Sequence, residues 1–221
     1  MDQAAPKLPL GIPACRSCVT GFLKLLGSSA KTGPPNPIQP FVIAWLTLGG
    51  DDGEVWETAT VYYNGASDGG KAIPGIVPRT GEHFPSVVVG LEEGFAAACI
   101  RQRREAVLHT ATWDHRRHLQ ELLEGQPMKV AADRLRPARG VSVPRIAAAP
   151  IALSLRLTHE LPLNSGRVAF VLDIVTFRLH RSIVVGGVLD SRALMAVGAR
   201  DPAGSLLVST REEHTMVFPS E

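Results

Sequence analysis

VPRIAAAPIALSLRLTHELPLNSGRVAFVLDIVTFRLHRSIVVGGVLD, residues Val143 to Asp190, is the stretch that decides the fold class. It holds two long extended runs, Ile151 to Glu160 and Arg167 to Leu179, joined by the turn-prone LPLNSG. In the second run Val168, Phe170, Leu172, Ile174, Thr176 and Arg178 fall on one side, and Ala169, Val171, Asp173, Val175, Phe177 and Leu179 on the other. Both sides are mostly apolar and rich in β-branched residues, which predicts a strand buried on both faces. The first run alternates more sharply. Leu153, Leu155 and Leu157 oppose Ser154, Arg156 and Thr158, so one face packs while the other is solvated or lines a site.

Further β signals lie upstream. FVIAWLTL from Phe41, the turn GGDDGE and VWETATVYYN up to Asn64 read as a β-hairpin. SVVVGL, Ser86 to Leu91, reads as a buried strand. Phe95 to Arg104 is helical by its Ala and Arg content, and Glu105 to Thr112 returns as a strand. DHRRHLQELLEG, Asp114 to Gly125, is an amphipathic helix with Leu119, Leu122 and Leu123 inward. Lys129 to Ala138 is a basic connector without a signal of its own. Between the strands, Ser67 to Pro85 is a long Gly/Pro-rich loop carrying Lys71, Arg79, Glu82 and His83. Loops of this length are often functional, so it reads either as a lid or as a surface loop or dimer contact.

The composition excludes several classes. The formal charge of the 221 residues is +2, from 23 basic and 21 acidic side chains, which gives no electrostatic case for nucleic acid. No apolar run approaches the roughly 20 residues of a membrane helix, and no signal-peptide pattern opens the chain. A cytoplasmic location is therefore expected. Residues 1–39 read as an extension and linker, 40–210 as one β-barrel domain and 211–221 as a charged tail. Cys15-x-x-Cys18 could be half a zinc site or a redox pair, but no second ligand pair or βαβ context accompanies it. His115 and His118 stand at i, i+3 beside Asp114 without a third ligand, so an Asp-capped helix start accounts for them better than a metal. No metal is expected.

The sequence also resembles a known family. PRIAAAPIALSLRLTHELPL is similar to the central segment of the flavin reductase-like family, the FMN-binding split barrels. There a Pro-Arg-(Ile/Val) entry leads into a strand that ends near Leu-Pro-Leu-Gly. The following segment LDIVTFRLHRSIVVGGVLD fits the next family strand without a gap, with Gly186, Gly187 and Asp190 at the most recognisable positions. The resemblance covers about residues 40–204 and implies a six-stranded antiparallel split barrel with Greek-key connections and a few helices. It implies a homodimer that binds flavin near its interface, FMN or FAD.

Carried over position by position, the flavin ring and ribityl chain fall to Thr58, Ala59, Thr60, Val61, Asn64 and Ser67. Asn64 and Ser67 keep the family's residue types, while Trp56 replaces an Asn and Val61 a Ser. Trp56, His159, Arg178 and His180 are the candidates for the nicotinamide or substrate side. The family's phosphate-binding helix carries Thr and Asn where this chain has Ala96 and Cys99, and Glu92 and Glu93 precede it. That argues against the family's usual phosphate contact. Arg101, Arg103 and Arg104 could compensate if they face the site; as a helix end they are already explained by the dipole.

The resemblance implies an NAD(P)H:flavin oxidoreductase, in the form of the reductase partner of a two-component monooxygenase. The flavin would carry the hydride chemistry, so no acid–base residue is required; none stands out here. The alternatives are a repurposed split-barrel enzyme acting on a small organic, secondary-metabolite-like substrate with or without flavin, and a non-catalytic partner subunit.

Overall fold

The computed structural model of the protein describes residues 12–13, 41–62, 76–77, 86–163, 166–185, 188–189, 194–199 and 207–209. In chain order these form β1 (Ile12–Pro13), β2 (Phe41–Gly49), β3 (Val55–Tyr62), β4 (Ile76–Val77), β5 (Ser86–Glu92) and helix α1 (Phe95–Arg103). There follow β6 (Glu105–Thr110), a 3-10 turn over Trp113–His115, α2 (Arg116–Glu124), β7 (Met128–Lys129), β8 (Leu135–Arg136) and β9 (Arg145–Ile146). The last elements are β10 (Ile151–Pro162), β11 (Arg167–Leu179), β12 (Val184–Val185), β13 (Val188–Leu189), β14 (Val197–Ala199) and β15 (Leu207–Ser209).

Six antiparallel strands make the body of the fold, in the order β3–β2–β6–β10–β11–β5. This order departs from chain order, as a Greek-key arrangement does. The sheet curls until its two ends approach. There the Thr60 hydroxyl donates to the Gly90 carbonyl oxygen at 3.4 Å, but no ladder joins β3 to β5 among the described residues. The barrel is therefore split along one seam, as the resemblance implies.

Alternation explains why β2 is apolar apart from Thr47, whose hydroxyl donates to the Pro144 carbonyl (2.7 Å). Ala44, Leu46 and Leu48 point into the barrel with Val87, Val89, Leu155, Phe170 and Leu172, and α1 adds Ala97, Cys99 and Ile100. Ile43 and Trp45 point the other way, into a second core under α2 that includes Ala59, Leu119 and Leu122. A strand covered on both faces needs no polar side.

The hairpin β10–β11 forms where the sequence places it, but its faces differ from a plain alternation. Val168, Ala169 and Phe170 are buried, while Val171, Asp173 and every residue from Val175 to Leu179 are half-buried. Ser154 pairs with Thr176 and Leu155 with Ile174, so Val175 is an extra residue, a β-bulge. Beyond it the pleat is inverted. Phe177 and Leu179 now pack against the barrel core, opposite Leu153 and Ile151. Thr176 and Arg178, expected beside Ile174, are turned to the outer face opposite Ser154 and Ala152. A second bulge falls at Thr158. Of the polar face expected on β10, Arg156 is exposed, Thr158 half-buried and Ser154 buried.

Helix α1 ends on Arg104 in the left-handed region (φ 56°). The expected strand to Thr112 stops at Thr110, with Thr112 forming an isolated bridge to Ala196. Asp114 does not cap α2: the 3-10 turn precedes the helix, His115 holds the N-cap position, and no side chain caps either element. Instead Thr112 Oγ1 and His115 Nδ1 share a hydrogen bond of 2.7 Å. Cys15, Cys18, Asn64, Ser67, Gly186, Gly187 and Asp190 lie outside the described residues, as does most of the 67–85 loop. Within that loop, Ile76–Val77 pairs with Ser86–Val87.

Candidate functional site

The seam is the first place to look for a ligand, because a barrel presents free backbone only where it fails to close. On β3 Trp56, Thr58 and Thr60 share a face by alternation, and Glu57 and Ala59 take the other. The indole of Trp56 meets the ring of Phe95, the first residue of α1, edge-on at 4.8 Å. Phe95 is 46 % exposed, so the two rings form an aromatic lip at the seam. Thr58 is buried and Thr60 half-buried behind it. Ala59 is turned away under α2, so on the seam side it offers only backbone. Val61 continues β3.

The N-terminus of α1 opens beside this lip. The first helical bond runs from the Ala98 N–H to the Gly94 carbonyl, which leaves the earlier N–H groups without intrahelical partners. A side chain on Gly94 would meet nothing within 4 Å, so an anion has open access to them. Of the two acids expected to repel it, Glu93 is occupied. Arg101 grips Glu93 with both terminal nitrogens (2.7 and 2.6 Å) and also binds Glu160. That contact with Arg101 holds the Glu93 carboxyl below its ordinary range. Arg103 donates to the Gly50 carbonyl and Arg104 to that of Leu157. The three arginines thus serve the helix end and the adjoining strands. Small residues and unused N–H groups fit a phosphate here, while Ala96 contributes no hydroxyl.

Under the opposite face of β3 lies a polar cluster that the sequence reading missed. The Glu57 side chain, 1 % exposed, accepts from Trp45 Nε1 (3.1 Å) and Arg134 Nη1 (3.0 Å), and lies 2.9 Å from His118 Nε2. Burial pushes its carboxyl up, but His118, Arg134 and Trp45 together outweigh that and leave it below the ordinary glutamate value. His109 is fully buried nearby. Its Nδ1–H donates to the Trp45 carbonyl and its Nε2 accepts from the Ile146 N–H (3.2 and 3.0 Å). Burial drives its pKa down to about 3, and burial also lowers His115. The rings of His109, His115 and His118 surround Trp45 at 5.3, 5.0 and 6.1 Å. Among the described residues no group of three or more His, Cys, Asp or Glu could hold a metal. With its acceptors engaged, Glu57 is structural. One signal was available: alternation puts this Glu on the same face as Val55 and Ala59. Its partner Arg134, in the featureless 129–138 connector, carried none.

The weaker sequence candidates separate. His159 is exposed on β10. His180 caps the 3-10 turn at Arg181–Ile183, its ring accepting from the Ser182 N–H. Arg178 lines a cavity. This cavity, of about 260 Å³, lies between the 137–145 segment and the outer face of β10 and β11. Arg139, Arg145 and Arg178 line it together with the hydroxyl-bearing Ser154 and Thr176.

Solved structures share this architecture. Nitrilotriacetate monooxygenase component B from Bacillus cereus superposes with a TM-score of 0.59 over 100 % of both chains at 13 % identity. The 2-nitrobenzoate 2-nitroreductase of Pseudomonas fluorescens gives a TM-score of 0.61 over 94 % of this chain and 96 % of that one, at 17 % identity. The fold is that of the flavin reductase-like proteins. Flavoredoxin of Desulfovibrio vulgaris shares it too, with a TM-score of 0.56, 15 % identity and coverage of 88 % of this chain and 93 % of that one. No family model matches the sequence, and no curated protein matches it. At these identities the flavin reductase-like barrel is what is common. No helix among the described residues is long and apolar enough to cross a membrane.

Proposed function

We propose that this flavin reductase-like protein is a flavin-dependent oxidoreductase that holds FMN or FAD along the seam. The observation that carries the reading is the open α1 N-terminus beside the Trp56–Phe95 lip. In this reading the N–H groups after Gly94 hold the phosphate and the Thr58–Thr60 face of β3 positions the ring, while the resemblance assigns Asn64 and Ser67 to the same cofactor. When bound, the flavin supplies the hydride chemistry and the chain supplies binding and orientation. NAD(P)H is the proposed reductant, a monooxygenase component the proposed recipient and the cytoplasm the proposed setting. A homodimer is proposed by analogy with the family. The monooxygenase and nitroreductase names of the neighbours support this choice of chemistry.

The test is visible absorbance of the purified full chain titrated with FMN and FAD, followed by NADH or NADPH without oxygen. Saturable binding and bleaching are expected. Ala96→Asp, which places a negative charge at the helix start, should weaken binding by about tenfold, equivalent to about 1.4 kcal/mol, near the top of the range for helix-dipole effects. No binding at saturating flavin would overturn the reading and leave a flavin-free barrel. The basic cavity favours a second reading, an enzyme acting on a small anionic substrate.

A further inference from the structure

The cavity on the outer face of β10 and β11 is lined by three arginines and by no acidic residue among the described residues. Arg178 Nη1 is buried there without a hydrogen-bond partner. A desolvated cationic N–H with no acceptor is unfavourable. Its neighbour Arg145 donates from Nη1 to the Ile146 carbonyl (3.3 Å), yet burial, then repulsion from Arg178 and Arg136, weakens its hold on its proton. A basic lining around a void is the reverse of what folding alone would select, and the unpartnered Arg178 Nη1 is what an entering anion would compensate.

The cavity is also held in place by specific contacts. The Thr176 hydroxyl donates to the Arg139 carbonyl (2.7 Å), and Arg156 Nη2 donates to the Gly140 carbonyl (3.0 Å). Gly140 itself has φ +83°, and a Cβ there would lie 2.9 Å from Val175 Cγ1. Only glycine lets the segment sit this close to the bulge. The bulge in turn brings Thr176 and Arg178 to the outer face.

We propose that this cavity is an oxyanion-binding site that takes the carboxylate or phosphate of a small organic ligand. Planar guanidinium forks match both groups in bidentate fashion. Ala138 and Ala152 give the rest of the ligand an apolar wall. At about 260 Å³ the cavity falls just below the roughly 300–1,000 Å³ of drug-sized ligand pockets. The ligand is therefore smaller than a flavin. None of the seam residues Trp56, Thr58, Thr60 or Phe95 lines the cavity, so the inference stands whether or not flavin binds.

The experiment is thermal unfolding of the full chain as purified, at low salt, with added benzoate or with added inorganic phosphate. A saturable rise in Tm with benzoate at concentrations where phosphate has no effect identifies an organic carboxylate. A rise with phosphate identifies a phosphate-bearing ligand. Arg178→Met should abolish the response while the variant melts no lower than wild type, because it removes an unpartnered charge. Arg117→Met, an exposed arginine of α2 outside the lining, should keep the response. No response to either anion, or an unchanged response in Arg178→Met, would overturn the proposal.

Discussion

The buried His109 makes a prediction about acid stability that can be worked through. An unfolded histidine titrates near pH 6.5, whereas burial lowers His109 to about 3 in the fold. As the pH falls, the unfolded chain therefore takes up this proton before the folded one does. The stabilisation is fully present above about pH 6.5 and is lost as the pH falls toward 3. One such proton changes stability by about 1.4 kcal/mol per pH unit, or about 3 kcal/mol between about pH 6.5 and pH 4. That is a large part of the roughly 5–15 kcal/mol of a typical domain. The assay is urea denaturation at a series of pH values, with His109→Gln as the non-titrating reference. Carboxylates titrate alike in both proteins, so the difference between the two curves isolates this ring. The gap should narrow steadily on acidification, since only wild type loses this contribution. A gap constant from about pH 7 to pH 4 would refute the claim that His109 is held neutral.

Two further outcomes follow from the ion pairs. Glu57→Ala strands the Trp45 indole N–H and takes an ion-pair partner from the more exposed Arg134, so denaturation should show a loss of about 1–3 kcal/mol, most of it from the stranded donor. Glu57→Gln, which keeps an acceptor, should lose less, and an Ala variant as stable as wild type would mean that the cluster contributes nothing. Arg101 makes more ion-pair contacts than any other arginine described, yet its side chain is 37 % exposed. Arg101→Ala should therefore leave the denaturation midpoint close to that of wild type, and any difference should shrink further in high salt.

The barrel was legible because its strands announce themselves by period. β10 and β11 alternate in the sequence and pair in the fold. What alternation could not reveal was Val175. Counting every second residue assumes an uninterrupted pleat, and a bulge breaks that count without leaving a mark in the composition. Thr176 and Arg178 were thus assigned to the wrong face, and the cavity they line stayed hidden. The Glu57 cluster was half legible. Its carboxylate stands out on an apolar face, but Trp45, His118 and Arg134 reach it from separate elements, and single-sequence patterns do not encode such distances. His115 and His118 drew notice as metal ligands or as part of a capped turn. In the fold they flank Trp45 and, in the case of His118, Glu57.

The placement of β2 has a kinetic consequence. Val42 pairs with Tyr62 across a short turn, but also with Gly198 from the far end of the chain. The β10–β11 and β2–β3 hairpins can form as soon as their own residues meet, because they close small loops. The β2–β14 contact must wait for nearly the whole polypeptide, and chains rich in such distant pairings fold slowly. During synthesis the start of β2 therefore remains an open strand edge after its hairpin partner has docked, and it is this edge that a chaperone or a second nascent copy would meet first.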